Sequence, residues 1–369
     1  MSSKYGLIPI GYCEKDGILW FLQYKSNKLI KMNKSDFSIL NVFMIPDFEV
    51  SQLIVYANKV IDGGDKLYIL NYGSQYIYTF DIQTEVFDKI KIYDDHDAYT
   101  CGAVSNKGDY LLIFPYGQDY IIKFDYYSMN AEKIIFPDQT ARFCEQSYGY
   151  DDGTYYLSDG SSNVIYKYIE KDNRIENYPM GDSDNRYFGI VKANGCFYAQ
   201  CINKNRAVLF NRSMEAISEF DMDLGDLVYY KCYAILNLYY YNSYVYIFPK
   251  FANKIIRVNV GTLQAEAAFG DVSFSKDKFE VINTRETFAD TICFGDKVYA
   301  YSSDSKKWNI FNLADNTFEA INQKEINDRE TFDRIRTLFS GACGTMINED
   351  SINNSLDNYI FTLKKHKEE

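Results

Sequence analysis

The chain has 369 residues, more than one hydrophobic core usually fills, so two domains or a repeat architecture are expected. Hydrophobic residues make up 47% and aromatics 17%, with 35 Tyr and 26 Phe; that supply of apolar surface excludes a disordered chain. A formal net charge of −12, with no cluster of Lys and Arg, excludes nucleic-acid backbones and anionic membrane surfaces as partners, since both are bound by neutralising phosphates.

The opening residues, MSSKYGLIPIGYCEKDG, lack the apolar core and small-residue cleavage site of a signal peptide. No run of 18 apolar residues follows, so no spanning helix is expected. The eight cysteines (13, 101, 144, 196, 201, 232, 293 and 343) form no C-x-x-C pair. They read as reduced, mostly buried thiols of a cytoplasmic protein.

From there a period runs through most of the chain. An aromatic or apolar anchor sits at Trp20, Tyr68, Leu112, Tyr156, Tyr198, Tyr246 and Tyr299. In every case a second anchor follows after 12 residues: Met32, Phe80, Phe124, Tyr168, Phe210, Val258 and Phe311. Three positions before each second anchor stand Leu29, Ile77, Ile121, Ile165, Ala207, Ile255 and Trp308. The next residue is Asn33, Asp81, Asp125, Asn211, Asn259 or Asn312, with Ile169 as the one departure. Successive units are 48, 44, 44, 42, 48 and 53 residues apart.

Each unit reads as four strands. The two anchored runs around a polar turn make a β-hairpin, and the Asn or Asp opens another turn through its side chain. A third run alternates apolar and polar residues, as in FDKIKI at 87–92. A further run precedes each hairpin, as at 53–57, 101–104 and 147–150. Four strands per 42–53 residues is the period of a propeller blade, and the fold expected is all-β. It is a seven-bladed β-propeller with four-stranded antiparallel blades over 1–322, followed by a helical hairpin over 323–369.

Tyr72-Gly73 and Tyr116-Gly117 stand where a glycine pair ends the second strand of Kelch-like propeller repeats, and Phe80-Asp81 and Phe124-Asp125 stand for their Tyr-Asp. Residues 4–322 thus resemble the Kelch-like family, although five units lack the glycines. No Trp-Asp dipeptide occurs, which removes the WD40 reading. If 4–13 supplies the innermost strand of blade 1 and 318–321 the outermost of blade 7, every blade is contiguous in sequence. No strand exchange then locks the ring, and something else holds its seam.

After Ile321 the period becomes helical. Phe332, Ile335, Leu338 and Phe339 share one face, with Gly341 placed as a cap. Ile352, Leu356, Tyr359, Ile360 and Leu363 share another, followed by Lys364, Lys365 and Lys367. These faces suit packing on the propeller or docking a protein partner.

Candidate site residues lie in the loops between blades and in the hairpin turns. The inter-blade loops carry Asp94, Asp95, Asp138 and Asp182, either as turn formers or as an acidic rim for a cation, a sugar or a basic peptide. Arg142 and Arg186 fall in the same loops and suit a bidentate grip on a carboxylate. His96, between Asp95 and Asp97, is placed to act as acid or base, or is a solvated loop residue. Tyr24, Tyr72 and Tyr116, in or beside the hairpin turns, are candidates for stacking on a sugar ring.

The chain has two His in all, too few for the copper and His-rich zinc sites known in propellers. Ser302–Trp308 is similar to the sialidase Asp box but carries Lys306 in place of its Gly and is one residue short. Residues 221–226, DMDLGD, alternate oxygen ligands but lack the distant Glu of a calcium loop. No phosphate loop, G-x-S-x-G or H-E-x-x-H is present. No cofactor is expected.

Two functions remain open. One is a non-catalytic binding or scaffold propeller recognising a protein or glycan through an acidic, tyrosine-edged face. The other is a carbohydrate-processing enzyme, an epimerase, mutarotase or lyase, with His96 as acid or base and Arg142 or Arg186 holding a substrate carboxylate.

Overall fold

The computed structural model describes residues 9–23, 28–46, 57–92, 99–115, 120–135, 148–158, 160, 162–201, 204–222, 235–249, 252–272, 288, 290–302, 305 and 307–322. At 57–58, 71–74, 99–101, 115 and 235–236 the description covers the main chain alone. Residues 323–369, and with them the expected helical hairpin, lie outside the described residues.

Every described strand belongs to a four-stranded antiparallel unit taken in chain order. Blade 1 is β1 (Pro9–Lys15), β2 (Ile18–Gln23), β3 (Lys28–Asn33) and β4 (Ile39–Met44). Blade 2 is β5 (Ala57–Asp62), β6 (Lys66–Ser74), β7 (Tyr76–Asp81) and β8 (Phe87–Lys91). Blade 3 is β9 (Tyr99–Asn106), β10 (Tyr110–Pro115), β11 (Tyr120–Asp125) and β12 (Ala131–Ile135), and blade 4 is β13 (Tyr148–Asp151), β14 (Thr154–Ser158), β15 (Val164–Ile169) and β16 (Arg174–Pro179). Blade 5 is β17 (Tyr187–Ala193), β18 (Cys196–Cys201), β19 (Arg206–Phe210) and β20 (Ala216–Asp221). Blade 6 is β21 (Ile235–Tyr241), β22 (Tyr244–Pro249), β23 (Ile256–Asn259) and β24 (Ala265–Ala267), and blade 7 is β25 (Thr291–Phe294), β26 (Lys297–Ser302), β27 (Lys307–Asn312) and β28 (Thr317–Asn322). The fold is a seven-bladed propeller.

Register explains the interval of 12. The second anchor pairs with the residue just before the first, as in Leu67↔Phe80, Tyr155↔Tyr168 and Val298↔Phe311. Neighbouring residues on a strand point to opposite faces, so the two anchors of a blade lie on opposite sides of its sheet.

The core obeys that parity. It is divided into seven apolar clusters, each shared by two consecutive blades. Every first anchor, from Trp20 to Tyr299, packs against the following blade, and every second anchor, from Met32 to Phe311, against the preceding one. The residue three before the second anchor, Ile77 or Trp308 for example, faces the following blade and is fully buried in all seven units. Packing of this kind, repeated round a ring, gives each blade two apolar faces and leaves its outer strand half-wet. In β28 only Ile321 is even partly covered.

The Asn or Asp after the second anchor closes the turn between the third and fourth strands. Asp81 Oδ1 accepts the N–H groups of Gln83 (3.1 Å) and Thr84 (2.8 Å), and Asp125 Oδ1 those of Tyr127 (3.0 Å) and Ser128 (2.7 Å). Asn33, Asn211, Asn259 and Asn312 make the same bonds. At Ile169, which has no such side chain, a single 3-10 turn over Glu170–Asp172 substitutes, ended by Asn173 at φ 46°. The turns between first and second strands are tight, with left-handed pairs such as Asp152-Gly153 at φ 47° and 73°.

Blades 1 and 7 are each built from contiguous chain, and among the described strands none is exchanged to close the ring. The seam is held by side chains. Trp308 lies 5.6 Å from Tyr12, 5.4 Å from Phe37 and 6.1 Å from Phe21, ring centre to ring centre. Lys34 Nζ sits 4.2 Å above Phe294. The buried carboxylate of Asp290 accepts Gly11 N–H (2.8 Å) across the seam and Thr291 N–H (2.8 Å) beside it. Between blades 2 and 3 the tie is different: the far end of β6 pairs with β9 through Tyr72↔Thr100 and Ser74↔Tyr99. Tyr72 therefore lies in a strand, beside the turn between β6 and β7. The nine-residue strand has absorbed the expected loop and leaves Gln75 alone between β6 and β7.

No described helix is long and apolar enough to cross a membrane.

Candidate binding face

Antiparallel order places the turns between first and second and between third and fourth strands of each blade on one face of the disc, and the hairpins between second and third strands and the ends that lead from blade to blade on the other. The first face carries uniform turns as short as Asp16-Gly17 and Asn194-Gly195. On the second, the described residues between blades are 45–46, 92, 180–186, 222, 268–272, 288 and 290, which belong to segments of differing length. Length and sequence vary there, and framework constraints do not. The candidate site is this long-segment face.

Its best described part joins blades 4 and 5. Arg206 and Asp221 are direct cross-strand partners in β19 and β20. The guanidinium grips Asp221 with Nε (2.7 Å) and Nη2 (3.2 Å), and turns Nη1 to Asp182 (3.0 Å) and Glu219 (3.2 Å). Lys204 donates to Asp184 at 2.7 Å. Beneath them Asn185 is fully buried and donates to Tyr187 Oη (3.2 Å) and Glu219 Oε1 (3.0 Å). Gly181, at φ 57°, admits no side chain, because a Cβ would stand 2.7 Å from Glu219 Oε1.

These pairings set the electrostatics. The Lys204 hydrogen bond holds the Asp184 carboxyl below its usual range, and the Arg206 fork does the same for Asp221. Asp184 in turn pushes Lys204 up. Paired in this way, Asp184 and Asp221 favour their charged forms, so this part of the rim presents fixed charge. Asp182, Asp184 and Asp221 have 61%, 69% and 72% of their side chains exposed.

Of the residues singled out in the sequence, Asp182 joins this cluster. Arg186, half-buried, turns Nη1 to the carbonyls of Ser183 (2.9 Å) and Asn185 (2.7 Å), bracing its own loop. Tyr72 lies in β6, and its side chain is outside the description. Tyr24, Asp94, Asp95, His96, Tyr116, Asp138 and Arg142 lie outside the described residues. Ser302 and Trp308 of the Asp-box-like stretch are buried, and Ser302 Oγ accepts Ser305 N–H at 3.4 Å, a turn inside the blade framework. Asp221 of the calcium-like stretch is spoken for by Arg206, and Met222 is buried. Among the described residues no group of three His, Cys, Asp or Glu side chains is arranged for a metal.

Folds of this outline are found in several solved structures. A catalytically inactive virginiamycin B lyase from Staphylococcus aureus, solved with quinupristin, superposes with a TM-score of 0.62 at 14% identity, covering 82% of this chain and 94% of the lyase. BamB from Moraxella catarrhalis gives 0.53 at 13% identity, over 80% and 82% of the two chains. Dihydro-heme d1 dehydrogenase NirN gives 0.55 at 10%, over 88% and 69%. The likeness is one of fold. No protein-family model matches the sequence, and neither does any curated protein.

Sequence reasoning passed over Lys204, Arg206 and Glu219. The signal was available in the register: Arg206 sits four residues before the anchor Phe210, at the mouth of β19, directly opposite the Asp that ends β20. It also passed over Asp290, the buried tie of the seam. The described thiols are free, and burial pushes Cys13 up to about 12 and Cys293 up to about 11, which keeps both protonated near neutrality.

Proposed function

We propose that this protein is a binding propeller that recognises a protein or glycan ligand across its long-segment face without converting it. The observation that carries the reading is the blade 4–blade 5 cluster, where the carboxylates of Asp182, Asp184, Glu219 and Asp221 share the cations of Lys204 and Arg206. Such a rim suits recognition of basic or hydroxyl-rich groups, because exposed carboxylates accept hydrogen bonds and steer cations. The Tyr72-Gly73 and Phe80-Asp81 pairs further support a place near the Kelch-like propellers.

A glycan and basic-peptide array probed with the full chain, with mass analysis of every captured ligand, tests this. Saturable capture with the ligand recovered unchanged is expected. Recovery of an epimerised, cleaved or eliminated sugar would instead establish the carbohydrate-processing reading, with His96 the first residue to substitute.

A further inference from the structure

We propose that Tyr150, on the short-turn face, is a nucleophilic phenol and a covalent modification site for sulfur(VI) electrophiles such as aryl sulfonyl fluorides. It lies in β13 with 40% of its surface exposed. The ammonium of Lys107, from the β9–β10 turn of the preceding blade, sits 3.8 Å from its ring centre and 4.8 Å from that of Tyr155. Gly153 N–H donates to Tyr150 Oη at 3.1 Å. Lys107 is itself held in place, 3.7 Å from Glu170, whose carboxylate also accepts the Tyr110 hydroxyl.

Both the lysine and the amide favour the phenolate over the phenol, and hold the Tyr150 hydroxyl below its usual range against the opposing charge of Asp152. An adjacent cation and a lowered pKa are the two ordinary means of activating a weak nucleophile.

Two other tyrosines supply the contrast. Tyr127 is 82% exposed, but its hydroxyl faces the carboxylate of Asp109 at 3.4 Å. Tyr178 donates to Glu176 at 2.7 Å, which pushes its pKa up. At Tyr178 the carboxylate keeps the proton on, and exposure alone should not set the order of reactivity. In the reaction the Tyr150 oxygen attacks sulfur, the O–S bond forms, and fluoride departs with the S–F pair. The phenol proton passes to solvent, and nothing is oxidised or reduced.

The test is site-resolved labelling of the full chain with a neutral aryl sulfonyl fluoride from pH 6 to 10, read by peptide mass spectrometry. Tyr150 should react roughly fivefold or more faster than Tyr127 and Tyr178 at pH 8, with its rate increasing as pH is raised and starting that increase at a lower pH than theirs. Lys107→Arg should keep most of that advantage, and Lys107→Met should bring Tyr150 to within about twofold of Tyr127. Faster labelling of Tyr127 or Tyr178, labelling of Lys107 in place of Tyr150, or a Tyr150 rate unchanged in a folded Lys107→Met chain would overturn the proposal. The comparison of sites within the unaltered chain stands even if that variant fails to fold.

Discussion

Asp81 and Asp125 perform, with a charge, the turn closure that Asn33, Asn211, Asn259 and Asn312 perform without one. Main-chain and side-chain donors of Thr84 and Ser128 hold the two carboxyls below the usual range. A group whose folded pKa is depressed stabilises the fold above its unfolded value, about pH 4 for Asp. That contribution is lost as pH falls through the folded value. The Asp81→Asn, Asp125→Asn double variant keeps the acceptor and removes the titration. Its thermal midpoint should match the unaltered chain at pH 7 and fall less steeply below about pH 4, where carboxylates titrate. Identical acid slopes in the two proteins would show that these turns carry no titrating stability.

At the scale of elements, the hairpin and its closing Asx turn were legible from sequence because their chemistry repeats. A first anchor facing the next blade, a second facing the last, and an acceptor for the turn recur at fixed intervals whatever the residue. The blade 4 exception at Ile169 was visible too, although the 3-10 turn that replaces the acceptor was not. What did not repeat was missed: the pairing of Tyr72 with Thr100 joins two blades, the Arg206 fork was marked only by its register, and Arg186 braces its own loop through main-chain carbonyls.

Trp308 shows how far the repeat logic extends, since it occupies the position of Ile77 or Ile255 while its partners come from blade 1. Trp308→Ala should lower the unfolding free energy by about 3–5 kcal/mol, as large buried aromatics do when truncated. Tyr127→Ala, at an exposed turn, should change it by roughly 0.5 kcal/mol or less. Urea denaturation compares the two, and a Trp308→Ala chain as stable as Tyr127→Ala would remove the seam's aromatic lock from the account.

For the whole molecule, the ring divides its labour between its two faces and its seam. Seven inter-blade clusters carry the burial, and Asp290 with the Trp308 rings replaces the strand exchange that the chain order does not provide. The short-turn face repeats, and what repeats is framework; recognition belongs where the units differ. Amide hydrogen exchange of the full chain, free and saturated with a ligand captured from the array, decides between the faces. Slowed exchange should fall in the segments 45–56, 92–98, 136–147, 180–186, 222–234 and 268–290, with the turns at Asp16-Gly17, Asp152-Gly153 and Asn194-Gly195 unchanged. Protection confined to those turns would contradict it.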